Sequence, residues 1–360
     1  MNKTKKVLII AYNDLNKSGV PNVIFQVVKS LYKYCSFDIM VFGNDLYYFD
    51  LLQKQGYKNI NIIKFGDSFK IRDCYNYYKK ALIFFNNNKY DIVHSFLEYK
   101  SYPFFKAAKE NNINQRIYHS NINKRKDNLV DNFIKSFLRK KSIKYSTDLI
   151  GVSKDCCDYM FKKEKCTVIN NPYDESIYNK NIKNNLNKNK LVLTQIATYN
   201  SNKNQLFSLQ IVNEIYKTYK DVTLKLVGRE TENGYLSSIK HFIFDNNLKT
   251  VIELIDGNSN IGNIYEETTF TLIPSKSEGF SLVAIESQAC GITPFLSSNV
   301  PHDVDPYGFA HYINSNDPKE WAKEILSLFE KIGNNRFELP IDNPFTKDNF
   351  KNKLLALYKI

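Results

Sequence analysis

The sequence predicts an α/β chain of two doubly wound domains in series, and three observations predict it. Short β-branched and aromatic runs alternate with helix-like segments through the first 170 residues, the pattern of a parallel sheet wound by crossover helices. A stretch from Asn170 to Asn189, rich in Asn and Lys and poor in apolar residues, interrupts that alternation as a linker does. The alternation then restarts, and it includes one sharply drawn unit of strand, loop, helix and strand over 269–296.

Each element follows from its run. In the first half, strands are expected over 7–11, 37–42, 60–65, 92–96, 116–119, 149–152 and 167–169, with helices between them, among them 23–34, 74–86 and 102–111. The second half repeats the order, with strands over 191–197, 222–227 and 251–255 and helices over 205–219 and 236–246. Thr269-Phe-Thr-Leu-Ile273 is then a buried strand closed by Pro274. Leu282, Ile285 and Ala289 recur at helical spacing up to a stop at Gly291, and Ile292-Thr-Pro-Phe-Leu296 is the next strand. Asn316-Asp317 starts a helix over 318–332, and Phe350, Leu354, Leu357 and Tyr358 mark a last one. The expected organisation is a Rossmann-like domain over 1–170, a linker over 171–189, a second such domain over 190–344 and a terminal helix in 345–360.

Hydrophobic residues make up 43% of the 360 and aromatic ones 14%, enough for two cores and against global disorder. Tyr and Phe number 25 each, and Asn and Lys are plentiful while Gly is scarce; this reads as codon bias. No apolar run is long enough to span a membrane, and the apolar start continues into Tyr12-Asn-Asp14, as a first strand does and a signal peptide does not. The six Cys, at 35, 74, 156, 157, 166 and 290, form no Cys-x-x-Cys and are expected to be reduced thiols of a cytoplasmic protein. The net charge of +13 is uneven: residues 1–165 hold 30 Lys and Arg against 15 Asp and Glu, and the rest hold 20 against 22. A basic half suits nucleic acid, an anionic membrane or an acidic substrate. The lack of any recognised nucleic-acid motif argues against the first.

The loop of the 269–296 unit carries the chemistry. Gly279 lets the backbone approach a ligand closely. Phe280, Ser281, Leu282 and Val283 place backbone N–H groups at a helix start, where the dipole favours an anion such as a phosphate. Glu278, just ahead, can accept hydrogen bonds from hydroxyls, and Glu286, further along the helix, can do so for a second hydroxyl-bearing group. A diphosphate flanked by two polyols is a nucleotide sugar. An ordinary βαβ unit with an exposed Glu and a capping Glu has the same outline. The Pro-Ser, Glu-Gly-Phe and Ala-Cys-Gly context decides for the ligand site.

Pro274-Ser-Lys-Ser-Glu-Gly-Phe-Ser-Leu282, with seven residues between Glu278 and Glu286, resembles the signature of retaining glycosyltransferases of family 4. The resemblance covers most of the chain and is densest over 191–298. It implies the GT-B architecture: two Rossmann-like domains facing a cleft, the donor on the second, the acceptor on the first, and a terminal helix crossing back to the first. It implies transfer of a hexose or N-acetylhexosamine from a nucleoside-diphosphate sugar, by preference UDP-linked, to a saccharide or lipid-pyrophosphate-linked saccharide. The setting would be bacterial capsule, exopolysaccharide or lipopolysaccharide assembly at the inner membrane face, with no metal and no cofactor beyond the donor. Family members place an Arg and a Lys on the donor diphosphate from the loop after the first strand of the second domain. In Ala197-Thr-Tyr-Asn-Ser-Asn-Lys-Asn-Gln205, Lys203 matches the Lys, but Thr198 stands for the Arg; Arg229, after Val227-Gly228, is a candidate replacement. The family often carries a His at a strand end of the first domain, contacting the donor sugar. His119 is the candidate and His94 the second choice, so Glu278 and His119 are the expected catalytic residues. In Ser18-Gly-Val-Pro-Asn22, Gly19 and Val20 make an acceptor or phosphate loop, with a plain βα turn equally open. Family members often have a second Gly and an acid there.

Two further stretches stand out by their charge. Asp303-Val-Asp305 has the metal-binding spacing of a different glycosyltransferase fold, but it lies in a late loop and is expected to be a surface turn. Residues 123–144 carry Leu129, Phe133, Phe137 and Leu138 on one expected helical face, with Lys124, Arg125, Lys126, Arg139, Lys140 and Lys141 around it. That helix packs on its own sheet, meets an anionic membrane, or does both on different faces. A nucleotide-sugar-binding protein without transfer activity is the alternative to the enzyme, motivated by Thr198.

Overall fold

A computed structural model describes residues 4–12, 14–67, 73–123, 129–175, 189–340 and 342–360. In it the strand β1 (Lys5–Ile10) buries Val7, Leu8, Ile9 and Ile10 completely. A strand buried on both faces belongs at the centre of a parallel sheet covered by helices on both sides. The elements that follow are α1 (Gly19–Leu31), β2 (Cys35–Val41), α2 (Tyr47–Lys54), β3 (Ile60–Lys64), α3 (Cys74–Asn87), β4 (Ile92–Ser95), α4 (Tyr102–Glu110), β5 (Gln115–Ser120), α5 (Leu129–Tyr145), β6 (Asp148–Gly151), α6 (Lys154–Phe161) and β7 (Thr167–Val168). The seven strands pair in parallel in the order β3-β2-β1-β4-β5-β6-β7. Alternation along each strand divides the core. Val7, Ile9, Ile39, Ile92 and Ile117 face one side, with Val27 and Leu31 of α1. Leu8, Ile10, Met40, Val93 and Tyr118 face the other, with Phe85, Phe104 and Phe105.

The second sheet is built from β8 (Leu191–Ile196), β9 (Val222–Gly228), β10 (Ile252–Asp256), β11 (Phe270–Ile273), β12 (Pro294–Ser297) and β13 (His311–Ile313), in the order β10-β9-β8-β11-β12-β13, again parallel. Its helices are α7 (Gln205–Thr218), α8 (Tyr235–Asp245), α9 (Ile261–Glu266), α10 (Leu282–Ala289) and α11 (Pro318–Ile332). Leu193, Leu224, Leu226, Phe270 and Phe295 pack on one face against Leu209 and Ile215 of α7 and Trp321 and Ile325 of α11. Ala284 and Ile285 of α10 cover the other face with Leu296, Tyr173 and Phe345. Asp317 caps α11 by accepting from the Lys319 N–H at 2.9 Å, just ahead of Pro318.

The last helix, α12 (Lys347–Tyr358), belongs to the first unit, which comprises Met1–Pro172 and Lys347–Ile360; the second is Tyr173–Thr346. Phe350, Leu354 and Tyr358 enter the first core beside α1. Two side chains of that unit take carbonyls from the end of α12: Lys5 Nζ donates to Tyr358 O and Gln115 Nε2 to Leu357 O, both at 2.6 Å.

Several expectations are corrected. The expected linker narrows at its start, because Tyr173 is buried in the second core, where its N–H donates to Phe345 O at 3.2 Å and its hydroxyl accepts from Asn343 Nδ2 at 3.1 Å. Residues 176–188 of that linker lie outside the described residues. Cys157 and Cys166 form a disulfide, Cα atoms 5.8 Å apart, and are not the free thiols expected. The chain turns back through Lys162 at φ 56° and brings together two cysteines that no short motif pairs. β13, three residues long, is not among the expected strands, and of α2, which lies between two expected strands, only Leu52 is buried.

Candidate active site

In the second sheet the strand order reverses between β8 and β11, and ligands of open parallel sheets bind at such a switch point, beyond the carboxyl ends of the strands. The loops leaving these two strands hold Lys203 and Glu278, and they are joined to each other. Lys276 N–H donates to Asn202 O at 2.8 Å, Asn202 Nδ2 to Ser277 O at 3.0 Å, and Asn204 Nδ2 to Pro274 O at 3.3 Å. Asn200 Oδ1 accepts from the N–H groups of Asn202 and Lys203 at 3.1 and 3.0 Å. Asn204 takes φ 62° at the start of α7, a conformation Asn tolerates better than most residues. These asparagines build the site; composition bias is not their whole meaning.

Lys203 Nζ donates to Glu278 Oε1 at 2.6 Å, and Ser275 Oγ donates to the same oxygen at 2.7 Å. Glu278 is 9% exposed, so its carboxylate is held by two donors in a largely dry corner. Sequence reasoning placed both residues here but gave them separate partners, phosphate and sugar; the structure pairs them. Ser281 caps α10 by accepting from Ala284 N–H at 3.4 Å. The N–H groups of Leu282 and Val283 lie in the same first turn, where helix geometry provides no intrahelical acceptor. The side chains of Phe280, Leu282 and Val283 are partly buried against the core, Phe280 edge-on to Phe345 at 5.7 Å.

Arg229 follows β9 and is exposed; its carbonyl accepts from Tyr199 N–H at 2.8 Å, in the loop that carries Lys203. That contact needs Gly228, because a Cβ there would lie 2.0 Å from Ala197 O. Glu286 is half-buried on α10. Asp305 Oδ1 accepts from Phe309 N–H at 2.7 Å within a turn. Among the described residues no three His, Cys, Asp or Glu side chains converge on one point.

The first unit reverses its strand order between β1 and β4. Gly19 opens α1 after β1, and Val20 packs on the core beneath it. A Cβ at Gly19 would meet nothing within 4 Å, so close approach of backbone does not dictate that glycine. His94 and His119 lie on neighbouring strands on one sheet face, with Nε2 of His94 3.1 Å from Nδ1 of His119. Both are fully buried, and burial depresses both imidazoles, His119 to about 3. Sequence reasoning treated them as rivals; they are partners. Glu98, just past β4, was missed: it is 4% exposed at φ 56° and accepts from Asn121 N–H at 3.3 Å. A buried acid in a strained turn at a sheet's carboxyl edge has no local sequence signal.

The expected single apolar face of α5 is corrected. Leu138 and Ser142 face inward, while Phe133 and Phe137 are 78% and 52% exposed. Arg139 donates to Tyr159 O at 3.2 Å and to Ser136 Oγ at 3.4 Å, so it ties α5 to α6. Lys140 is exposed and Lys141 lies 5.3 Å over the Phe137 ring. Lys124, Arg125 and Lys126 lie outside the described residues.

Residues 177–336 match the family Glycosyl transferases group 1. The chain is 29% identical over 188 residues to an uncharacterized glycosyltransferase, MJ1178, of Methanocaldococcus jannaschii, over 46% of this chain and 50% of that one. It spans half or less of the length of the curated relatives it matches. A glycosyltransferase from Rickettsia africae has a similar structure, with TM-score 0.76 at 17% identity over 100% of this chain and 98% of that one. Anabaena HepE, solved with UDP and glucose, gives 0.73 at 14% identity over 99% and 95%. Two parallel, helix-covered sheets matched over their whole length to such structures are the GT-B fold, and the stretch similar to the group 1 glycosyl transferases, residues 177–336, lies over the second sheet.

Proposed function

We propose that this chain is a retaining, metal-independent glycosyltransferase. It moves a hexose or N-acetylhexosamine from a nucleoside-diphosphate sugar, UDP-linked by preference, to a saccharide or lipid-linked saccharide in surface polysaccharide synthesis. The observation that carries the reading is the meeting of Lys203, Glu278 and the α10 N-terminus at the switch point of the second sheet, inside the matched domain. An ammonium has three N–H donors. Lys203 can therefore keep Glu278 and still reach a phosphate oxygen, beside the N–H groups of Leu282 and Val283. Glu278 keeps acceptor capacity for sugar hydroxyls, Glu286 takes the ribose, and Arg229 is the second cation in place of an Arg at Thr198. His119 of the first unit donates to a substrate oxygen, and the Gly19–Val20 loop serves the acceptor. Rate enhancement comes from positioning and from stabilising the departing diphosphate.

Thermal unfolding against UDP, GDP and a panel of their sugar conjugates tests the reading. A ligand at about 100 times its Kd adds about 2.7 kcal/mol to stability. No stabilisation by any of them removes the donor assignment. Stabilisation without release of nucleoside diphosphate favours a binding protein over an enzyme.

The proposed partner surface is an anionic membrane at the cytoplasmic face. It is motivated by Phe133 and Phe137 standing out from α5 beside Lys140 and Lys141, since an apolar anchor ringed by cations suits acidic headgroups.

A further inference from the structure

His94 and His119 are joined to a third buried group, the Tyr358 hydroxyl of α12, which lies 2.8 Å from His94 Nδ1. The β4–β5 register sets His94 opposite Ile117, so His119 lies two residues further on and on the same face. That is the face on which α12 packs. Phe96 stacks on the His94 ring and lies tilted against that of His119, its ring centroid 4.6 Å from each. All three polar residues are fully buried.

Hydrogen-bond accounting leaves one arrangement of protons. Each neutral imidazole has one N–H and one acceptor nitrogen. Among the described residues, the only hydrogen-bond partner of the Tyr358 hydroxyl is His94 Nδ1. Were His94 to donate there, both the Tyr358 proton and a bare His119 Nε2 would be buried without partners, whereas the reverse arrangement leaves a single buried group, His119 Nε2–H, without one. Tyr358 therefore donates to His94 Nδ1. The His94 proton is then on Nε2, which donates to His119 Nδ1, and the His119 proton is on Nε2. That last nitrogen is buried and has no acceptor among the described residues.

We propose that Tyr358 and His94 are positioning residues that lock His119 in the Nε2–H form, so that it presents a hydrogen-bond donor, never an acceptor, to an oxygen of the bound substrate. The inference rests on the substrate-contacting role given to His119 above. The C-terminal helix thereby sets the proton inventory of a group near the carboxyl end of β5, beyond covering the core. The acceptor oxygen is a sugar hydroxyl or a phosphate oxygen; a ligand group that can only donate is excluded at this position.

The test is nitrogen-15 NMR of the full chain labelled at histidine, in which long-range couplings tell the protonated ring nitrogen from the bare one. His94 and His119 are both expected with the proton on Nε2. A proton on Nδ1 of His119 overturns the proposal. Tyr358→Phe keeps the ring in the core and removes only the donor. It is expected to spread both histidines over two tautomers and to lower kcat/KM by about fivefold, the worth of one ordinary hydrogen bond, for the donor selected in the panel above. His94→Gln, whose amide N–H still reaches His119, should stay near wild type while His94→Leu loses activity. Unchanged tautomers and unchanged kcat/KM in Tyr358→Phe refute the positioning role. The tautomers are read on the protein alone, so a panel without turnover sinks the transferase reading and leaves this result to decide the relay.

Discussion

Replacing Glu278 by Gln changes its charge and hardly its shape, which makes it the sharpest probe of the site. Glu278 Oε1 accepts from Ser275 Oγ and Lys203 Nζ, and Ser275 is 2% exposed. In Glu278→Gln the amide oxygen still serves both donors, so folding should cost under about 1 kcal/mol. In Glu278→Ala the buried Ser275 hydroxyl loses its acceptor, which costs about 1–3 kcal/mol, while Lys203 can turn to water because its side chain is 27% exposed. For a domain of this size that is a fall in Tm of about 2–4 °C per kcal/mol. Activity should order differently from stability. If the charged carboxylate orients the sugar in the transition state, either variant loses about 2–4 kcal/mol there, roughly 30-fold to 1000-fold in kcat/KM. The assays are scanning calorimetry and initial rates of nucleoside-diphosphate release. A Glu278→Gln chain that turns over at the wild-type rate refutes the assignment. Equal losses of stability in both variants would show that the Ser275 contact has been misjudged.

Three further outcomes are expected. Lys203→Ala should weaken a nucleotide sugar and its free nucleoside diphosphate by the same factor in titration calorimetry, because the contact is to phosphate; a loss confined to the sugar conjugate contradicts this. The buried histidines should make stability depend on pH. Burial depresses both, His119 to about 3, while the unfolded chain titrates near 6.5. Their contribution is therefore complete above about pH 6.5 and is lost as pH falls, by up to about 1.4 kcal/mol per unit for each histidine. Urea unfolding from about pH 7 to 5 should fall less steeply in His119→Asn than in wild type, and equal slopes refute it. The α5 face should bind anionic vesicles reversibly and release them at high salt, each close cation adding about 1 kcal/mol. Phe133→Ser with Phe137→Ser should abolish binding and leave transfer to a soluble acceptor intact; equal binding to neutral vesicles contradicts the charge-led reading.

The fold was legible because its signals are local. The strand runs have β-branched residues buried on both faces, and Asn316-Asp317-Pro318 announces α11 within three residues. The Glu278 loop was legible for the same reason, as strand, glycine and helix start are contiguous. What escaped is what depends on distant partners. The pairing of His94 with His119 follows from a register between neighbouring strands, and its third member, Tyr358, lies 264 residues from His94. The Lys203–Glu278 pair spans 75 residues and arises where the strand order reverses. The outward turn of Phe133 and Phe137 was hidden because helical periodicity shows that residues share a face without showing what the face meets.

The central claim is that this chain transfers a sugar with retention and without a metal. Proton NMR of the anomeric region follows it directly, with the chain, a panel of nucleotide sugars, saccharide acceptors and excess chelator in one tube. An α-linked donor should lose its anomeric signal as free nucleoside diphosphate appears and the product gains an α-anomeric proton, at a rate the chelator leaves unchanged. A β-anomeric product, turnover only after a divalent metal is added, or no release from any donor would contradict it.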